Sequence, residues 1–342
     1  MKNKSSELTE QQVADYVGIA RAYGIEKVLT ISNQFVSFPT QSPLSVRVPR
    51  STSLFHLSWS YILTTAHILL ADNDTNIEDT DQVEIMREVV NYFESRESGI
   101  VGFTQMKPGW VELTRKANAG TSLRLSDQCV EETVSSWLQE ERDMALILSR
   151  ELGLFVKSGQ RKFRNDLAGR IKYEKKELVL NRRLESVLVI DGAASPLRIN
   201  AFFARKNISM SASLSAPRDK KQRGQLSWLR NQLRKAERAD PELFAGLKPD
   251  LIIEIHLKYG SVPERMRFDE LDDAIDVIGG REIRNFSVLY LRYLGREFES
   301  RKRIVVTIEK MLVDYYQGIL QHLKRWERPA PRIAQKSEVG ED

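Results

Sequence analysis

Apolar residues along the amino-terminal stretch set out a helix followed by a strand. Leu8, Val13, Tyr16, Val17, Ala20 and Tyr23 recur mostly at three- and four-residue spacing, which gives a helix one apolar face. Thr9, with Gln12 three residues on, predicts a capping box at its start, and Gly24 sits where it would end. Residues 28–31 form a short apolar, partly β-branched run, the pattern of a strand buried on both faces of a parallel sheet. The run breaks into Ser32, Asn33 and Gln34. Parallel sheets place ligand chemistry at strand ends of that kind. Pro39, Pro43 and Pro49 keep 36–55 an extended loop. A strand is predicted over 54–59, and helices over 61–70 and 79–93, the second with Val83, Met86, Val90 and Phe93 inward.

Residues 117–121 (Ala-Asn-Ala-Gly-Thr) read as a linker, dividing the chain into 1–118 and 122–328 before a disordered polar tail at 329–342. Beyond the linker, 128–156 predict one long helix or two, with Trp137 in the core. A strand follows at 186–190. A hairpin is predicted from 197–204 and 208–215, where Ile208, Met210, Ala212 and Leu214 alternate with serines. Further predictions are a helix over 224–236 packing through Leu226, Leu229 and Leu233, a strand over 252–257 and a short helix over 268–278. A final helix spans 303–326. Its apolar stripe serves docking on its own domain or pairing with a second copy, and docking is favoured.

At 342 residues the chain can bury an ample core, and 41% hydrophobic with 29% charged residues is ordinary for a soluble protein. No signal-peptide pattern and no apolar run of membrane-spanning length is present, which points to a cytoplasmic setting. The single Cys129 excludes an internal disulfide. P-loop, dinucleotide-binding and nucleophile-elbow motifs are absent. His56 and His67 lie on different elements without a third ligand at diagnostic spacing, so both read as hydrogen-bonded structural histidines. Net charge is +5. Basic residues concentrate at 159–183, where Arg161, Lys162, Arg164, Arg170 and Lys172 lead a stretch interleaved with Phe163 and Tyr173. Such a stretch is either the wet face of a helix or a sequence-indifferent phosphate contact.

One resemblance adds a direction. Gln12 and Tyr16, followed by Tyr23-Gly24-Ile25 and then Thr30-Ile31-Ser32-Asn33-Gln34-Phe35, resemble a group of bacterial PD-(D/E)XK nuclease-like proteins carrying a Gln-x-x-x-Tyr motif in the RecB-like manner. The resemblance implies an α/β chain, α+β overall: a truncated restriction-endonuclease-like core followed by an α+β domain with a β-hairpin and long helices. It implies that Gln12 orients substrate or metal-bound water, that Tyr16 supports it, and that Ser32, Asn33 and Gln34 line the cleft edge. Lys2 or Lys4 stands where the motif lysine would fall. The family's Asp and Glu-x-Lys lie upstream of this helix, and no such acids precede Gln12 here. Either a segment upstream supplies them or they are lost. Mg²⁺ or Mn²⁺ is thus implied for a full-length relative, and none for this chain. Nucleic acid and a second copy of the chain are the implied partners. The alternative is a non-catalytic, stress- or defence-related interaction protein.

On these grounds, incubation with DNA and Mg²⁺ or Mn²⁺ is expected to give no cleavage. Cleavage that disappears on Gln12→Ala would contradict the expectation.

Overall fold

The computed structural model describes residues 8–34, 36, 42–44, 46–71, 79–159, 163 and 166–328. The tail at 329–342 lies outside them. The fold is α+β, and no helix among the described residues is long and apolar enough to cross a membrane.

Helix α1 (Glu10–Ala22) begins with the predicted capping box: the Thr9 hydroxyl accepts from the Gln12 N–H, and Gln12 Oε1 accepts from the Thr9 N–H. Strand β1 (Lys27–Ser32) pairs in parallel with β2 (Ser53–Ser58), from Lys27↔Ser53 to Ser32↔Ser58. The expected burial of β1 on both faces does not hold. Leu8, Val13, Val17 and Leu54 make a small core on one side of the pair. On the other side the cross-strand pairs Leu29–Phe55 and Ile31–Leu57 are only partly covered, and Leu29 is 54% exposed. One helix covers one face, so half of the apolar run stays wet.

The 61–70 helix is α2 (Trp59–Ala71), and its Trp59 meets Phe93 of α3 (Thr80–Glu94) at 5.4 Å between ring centroids. Of the four positions expected to face inward on α3, Val90 is buried, while Val83 and Phe93 are half-buried. Met86 is exposed together with Ile85, Val89 and Tyr92. The main packing partner of α3 is α2, which covers only one line of its surface.

The second sheet has seven antiparallel strands in the order β3-β4-β5-β6-β9-β7-β8. They are β3 (Lys157–Ser158), β4 (Arg183–Val189), β5 (Leu197–Phe202), β6 (Asn207–Ser215), β7 (Leu251–Leu257), β8 (Glu264–Arg267) and β9 (Ile283–Tyr293). β5 and β6 are the predicted hairpin, with Ile208, Met210, Ala212 and Leu214 buried. β9 has no counterpart in the sequence-based elements, yet it is the longest strand and joins β6 to β7.

Helices α4 (Gly109–Asn118), α5 (Gln128–Leu152), α6 (Leu167–Asn181), α7 (Gln222–Ala239), α8 (Pro241–Leu247), α9 (Ala274–Ile278) and α10 (Arg303–Gly318) complete the body. α10 docks on its own sheet: the Tyr315 hydroxyl donates to the Val288 carbonyl at 2.7 Å, and its ring stacks on Tyr290. It stops at Gly318, short of the predicted 326. A Cβ there would lie 2.5 Å from Leu247 Cδ1 of α8, so only glycine fits that approach.

The expected linker at 117–121 is the turn between two packed helices. Trp110 on α4 lies against Trp137 of α5, Phe203 and Phe298, and its Nε1–H donates to the Phe298 carbonyl at 2.7 Å. Met106, Trp110, Leu113 and Ala117 thus belong to the large core, and the packing divides the chain ahead of Met106 instead of at 118–122. Trp110→Ala is expected to cost about 3–5 kcal/mol of unfolding free energy, measured in urea, the range for emptying a fully buried aromatic site.

Candidate functional site

The polar tip of β1 is a hydrogen-bond hub. Gln34 Oε1 accepts from the Leu8 N–H at 3.3 Å and from the Ser32 hydroxyl at 3.2 Å. Asn33 Nδ2 donates to the Gly99 carbonyl at 2.7 Å, and Asn33 Oδ1 accepts from the Val101 N–H. Beneath them His56 is fully buried. Its Nε2 faces the Gln34 carbonyl at 2.8 Å, so that nitrogen carries the hydrogen, and Nδ1 faces the Thr30 hydroxyl at 2.9 Å. Burial pushes the His56 pKa down, against the pull of the Gln34 carbonyl, and the ring stays neutral. His67 pairs with Glu94 at 2.6 Å.

The tip therefore brings Ser32, Asn33 and Gln34 together, but Gln12 and Tyr16 are not with them. The Gln12 side chain closes the α1 cap, and Tyr16 stands 52% exposed on the outer side of that helix. Lys2 and Lys4 lie outside the described residues, as do Arg161, Lys162 and Arg164. Among the described residues no three His, Cys, Asp or Glu side chains are grouped to hold a metal ion.

Behind the tip lies a set of acids that composition could not reveal. Asp143 on α5 is buried; its carboxylate accepts from the Phe103 N–H at 2.5 Å and from the Ser60 hydroxyl of α2 at 3.4 Å. The chain passes so close that a Cβ at Gly102 would lie 2.5 Å from Asp143 Oδ2. Arg150 Nη1 donates to the Ser60 and Thr64 hydroxyls. Glu140, one turn before Asp143, is fully buried, and neither of its oxygens has a hydrogen-bond partner among the described residues. Burial, with the like charges of Glu309 and Asp143, holds it well above the ordinary carboxylate range. Burial raises Asp143 to about 6, opposed by the Phe103 N–H and Arg150. Burial and Asp143 raise Glu309 on α10 to about 7, opposed by Arg150.

Arg170 does not face solvent. It is buried between Glu141, at 2.9 Å, and Glu174, at 2.7 Å, and it also donates to the Glu185 carbonyl. Burial lowers its pKa, the two carboxylates outweigh that, and the net shift is upward. Its expected role as a phosphate contact is replaced by a buried ion triad. Lys172 is exposed on α6. On the open face of the large sheet His256 Nε2 lies 3.0 Å from Ser287 Oγ, but Glu254 approaches the same nitrogen, at 3.6 Å. A proton relay needs the acid on the other ring nitrogen, so this cluster is not a nucleophilic triad.

A concave basic surface lies between α7 and the segment after α10, a recess of about 640 Å³. Leu226, Leu229 and Leu233 turn α7 onto the core, which leaves Arg234, Lys235 and Arg238 exposed on the recess side. The chain after Gly318 returns alongside, because the Lys324 N–H donates to Gln232 Oε1 at 2.5 Å and Arg325 Nε to the Ala194 carbonyl. Trp326 is fixed by its Nε1–H on Asp219, at 2.7 Å. Lys220 Nζ lies 4.7 Å above its ring, and Trp228 meets it edge-on at 6.1 Å. Lys220, Arg234, Lys235, Arg238, Lys324 and Arg325 line the recess, against Glu327 as the one acid among its lining residues.

The spacing of Leu226, Leu229 and Leu233 leaves Arg234 and Lys235 off the packing face of α7 but carries no sign of what they face. The signal it lacked was the end of α10, since a helix running to 326 would carry Trp326 away from α7. No protein-family model matches this chain, and neither a curated protein nor a solved structure matches it.

The acid cluster predicts a pH dependence. Its carboxyls ionise at higher pH folded than unfolded, so the stability they contribute is complete below about pH 4 and is lost as pH rises through about 6–7. Glu140→Gln removes a buried carboxyl that the fold must keep protonated. Its unfolding midpoint is expected to rise relative to the parent chain between about pH 5 and pH 8, by the equivalent of roughly 1–3 kcal/mol. A difference that stays constant with pH in thermal melts would contradict this.

Proposed function

We propose that this chain is a nucleic-acid-associated protein that holds the phosphate backbone in the recess between α7 and the segment after α10. Six basic side chains converging on one concavity with a single acid is the observation that carries this. Arg234, Lys235, Arg238 and Lys324 make no ion pair among the described residues, so their charge is available to a polyanion. Guanidinium groups add bidentate contacts to phosphate oxygens. Nothing in the recess resembles a helix set to read base pairs in a major groove, so backbone contact dominates and sequence preference is weak. The nuclease-like resemblance is consistent with association with DNA. Cleavage would require a group of metal-holding side chains, and among the described residues no three His, Cys, Asp or Glu are so grouped, so no catalytic step is proposed.

A second reading, a protein-interaction role, is favoured by one observation. Ile85, Val89 and Tyr92 present an exposed apolar line on α3, flanked by Asp81, Glu84 and Glu88.

Fluorescence anisotropy with a labelled oligonucleotide tests the first reading. Affinity is expected to fall steeply with added salt. Arg234→Ala, Lys235→Ala and Arg238→Ala together are expected to weaken binding about tenfold or more and to shallow the salt slope by about three, one for each lost phosphate contact. Lys172→Ala is expected to change little. An unchanged affinity in the triple variant would rule out the recess.

A further inference from the structure

The recess is basic at its rim, but its floor is built differently. Trp228 and Trp326 supply two half-buried indoles. Between the rim and the core sits Gln232, only 6% exposed. Its carbonyl oxygen is engaged by the Lys324 N–H, which fixes the orientation of the amide. Its Nε2 is closed off from solvent, so the amide serves to hold the returning segment. Phosphates of a backbone lying along the rim do not explain two aromatic rings beneath them.

We propose that the recess takes single-stranded nucleic acid, with a base turned inward onto the indoles. The proposal rests on the nucleic-acid reading of the recess and adds the strand state of the ligand. In a duplex the bases are stacked on one another and their edges are paired, so neither a ring face nor a free edge can reach the floor while the phosphates rest on the rim. In a single strand both are free. Every base offers a π face, so the floor selects strand state more than sequence. An indole face does not contact the sugar, so DNA and RNA single strands both qualify.

The opposed sides of the recess suit this division of labour. Arg234, Lys235 and Arg238 stand on α7, and Lys324 and Arg325 stand on the returning segment, so phosphates on either side of an inserted nucleotide meet a cation. Lys220 sits over one face of the Trp326 ring and leaves stacking to the opposite face or to Trp228.

The test compares a short single-stranded DNA, the same sequence as RNA, and the DNA duplex, each binding the full chain at equal salt. Both single strands are expected to bind about tenfold or more tightly than the duplex and to quench tryptophan emission, whereas the duplex does not quench. Trp326→Ala is expected to weaken single-strand binding roughly 5- to 150-fold, the range for one lost base–aromatic stack. Trp326→Phe, which keeps an aromatic face, is expected to retain most of the affinity, so that loss from displacement of the segment is distinguished from loss of stacking. Equal affinity for single strand and duplex, with Trp326→Ala unchanged, would overturn this inference and leave the backbone-binding reading standing. Binding of neither would overturn both.

Discussion

A carboxylate cannot be taken out of water without partners, and Asp143 is the point where this chain meets that constraint. Two hydrogen bonds reach its carboxylate from outside the body: one from the Phe103 N–H of the segment that enters it, and a longer one from the Ser60 hydroxyl of α2. Satisfying one buried acid therefore fixes where the amino-terminal elements sit on α5. Asn33 holds the other end of the same segment through Gly99 and Val101, so the tip of β1 and the centre of α5 are joined by five residues of backbone. Gly102 follows from this, because the chain must cross directly over the carboxylate. The polar triplet after β1 is thus accounted for as a structural fastening. Its position at the end of a parallel strand does not by itself make it a ligand site.

Where the hydrophobic pattern was unambiguous, the structure follows it. The alternation in β6, the capping box of α1 and the leucine stripe of α7 each encode a local geometry and a burial direction together. β9 was not assigned because Phe286, Val288, Leu289 and Tyr290 lie in a mixed stretch with buried Ser287, without clean alternation, after a pair of glycines. It becomes a strand through its neighbours, since β6 on one side and β7 on the other satisfy its backbone. Periodicity does not carry that information. The misplaced division at 117–121 has a similar cause: small residues and glycine mark a turn equally well between domains and between two helices sharing Trp110 and Trp137.

The candidate site was legible in its parts and not in its assembly. The cationic face of α7 and the run Lys324-Arg325-Trp326 are plain in the sequence, but it is the return of the chain after α10 ends at Gly318 that brings them together. The basic stretch at 159–183 misled in the opposite direction. Charge counts cannot distinguish Lys172, which is exposed, from Arg170, which is used inside the protein to neutralise Glu141 and Glu174. Buried acids need cations, and some of a chain's basic residues are spent on that need.

The parallel pairing of β1 with β2 has a consequence for how the molecule breathes. Two strands joined through a long connection, with a core of Leu8, Val13, Val17 and Leu54 on one side, gain little apolar burial for the loop they close. The body has a far larger core threaded through every helix from α4 onward. Cooperative opening should therefore divide the chain into two units of unequal free energy, the amino-terminal one exchanging its amide hydrogens through local openings that leave the seven-stranded sheet protected. Each such opening parts the Asp143 carboxylate from Ser60 and admits water to the acid cluster, so protonation of the body and docking of the amino-terminal unit are thermodynamically linked quantities.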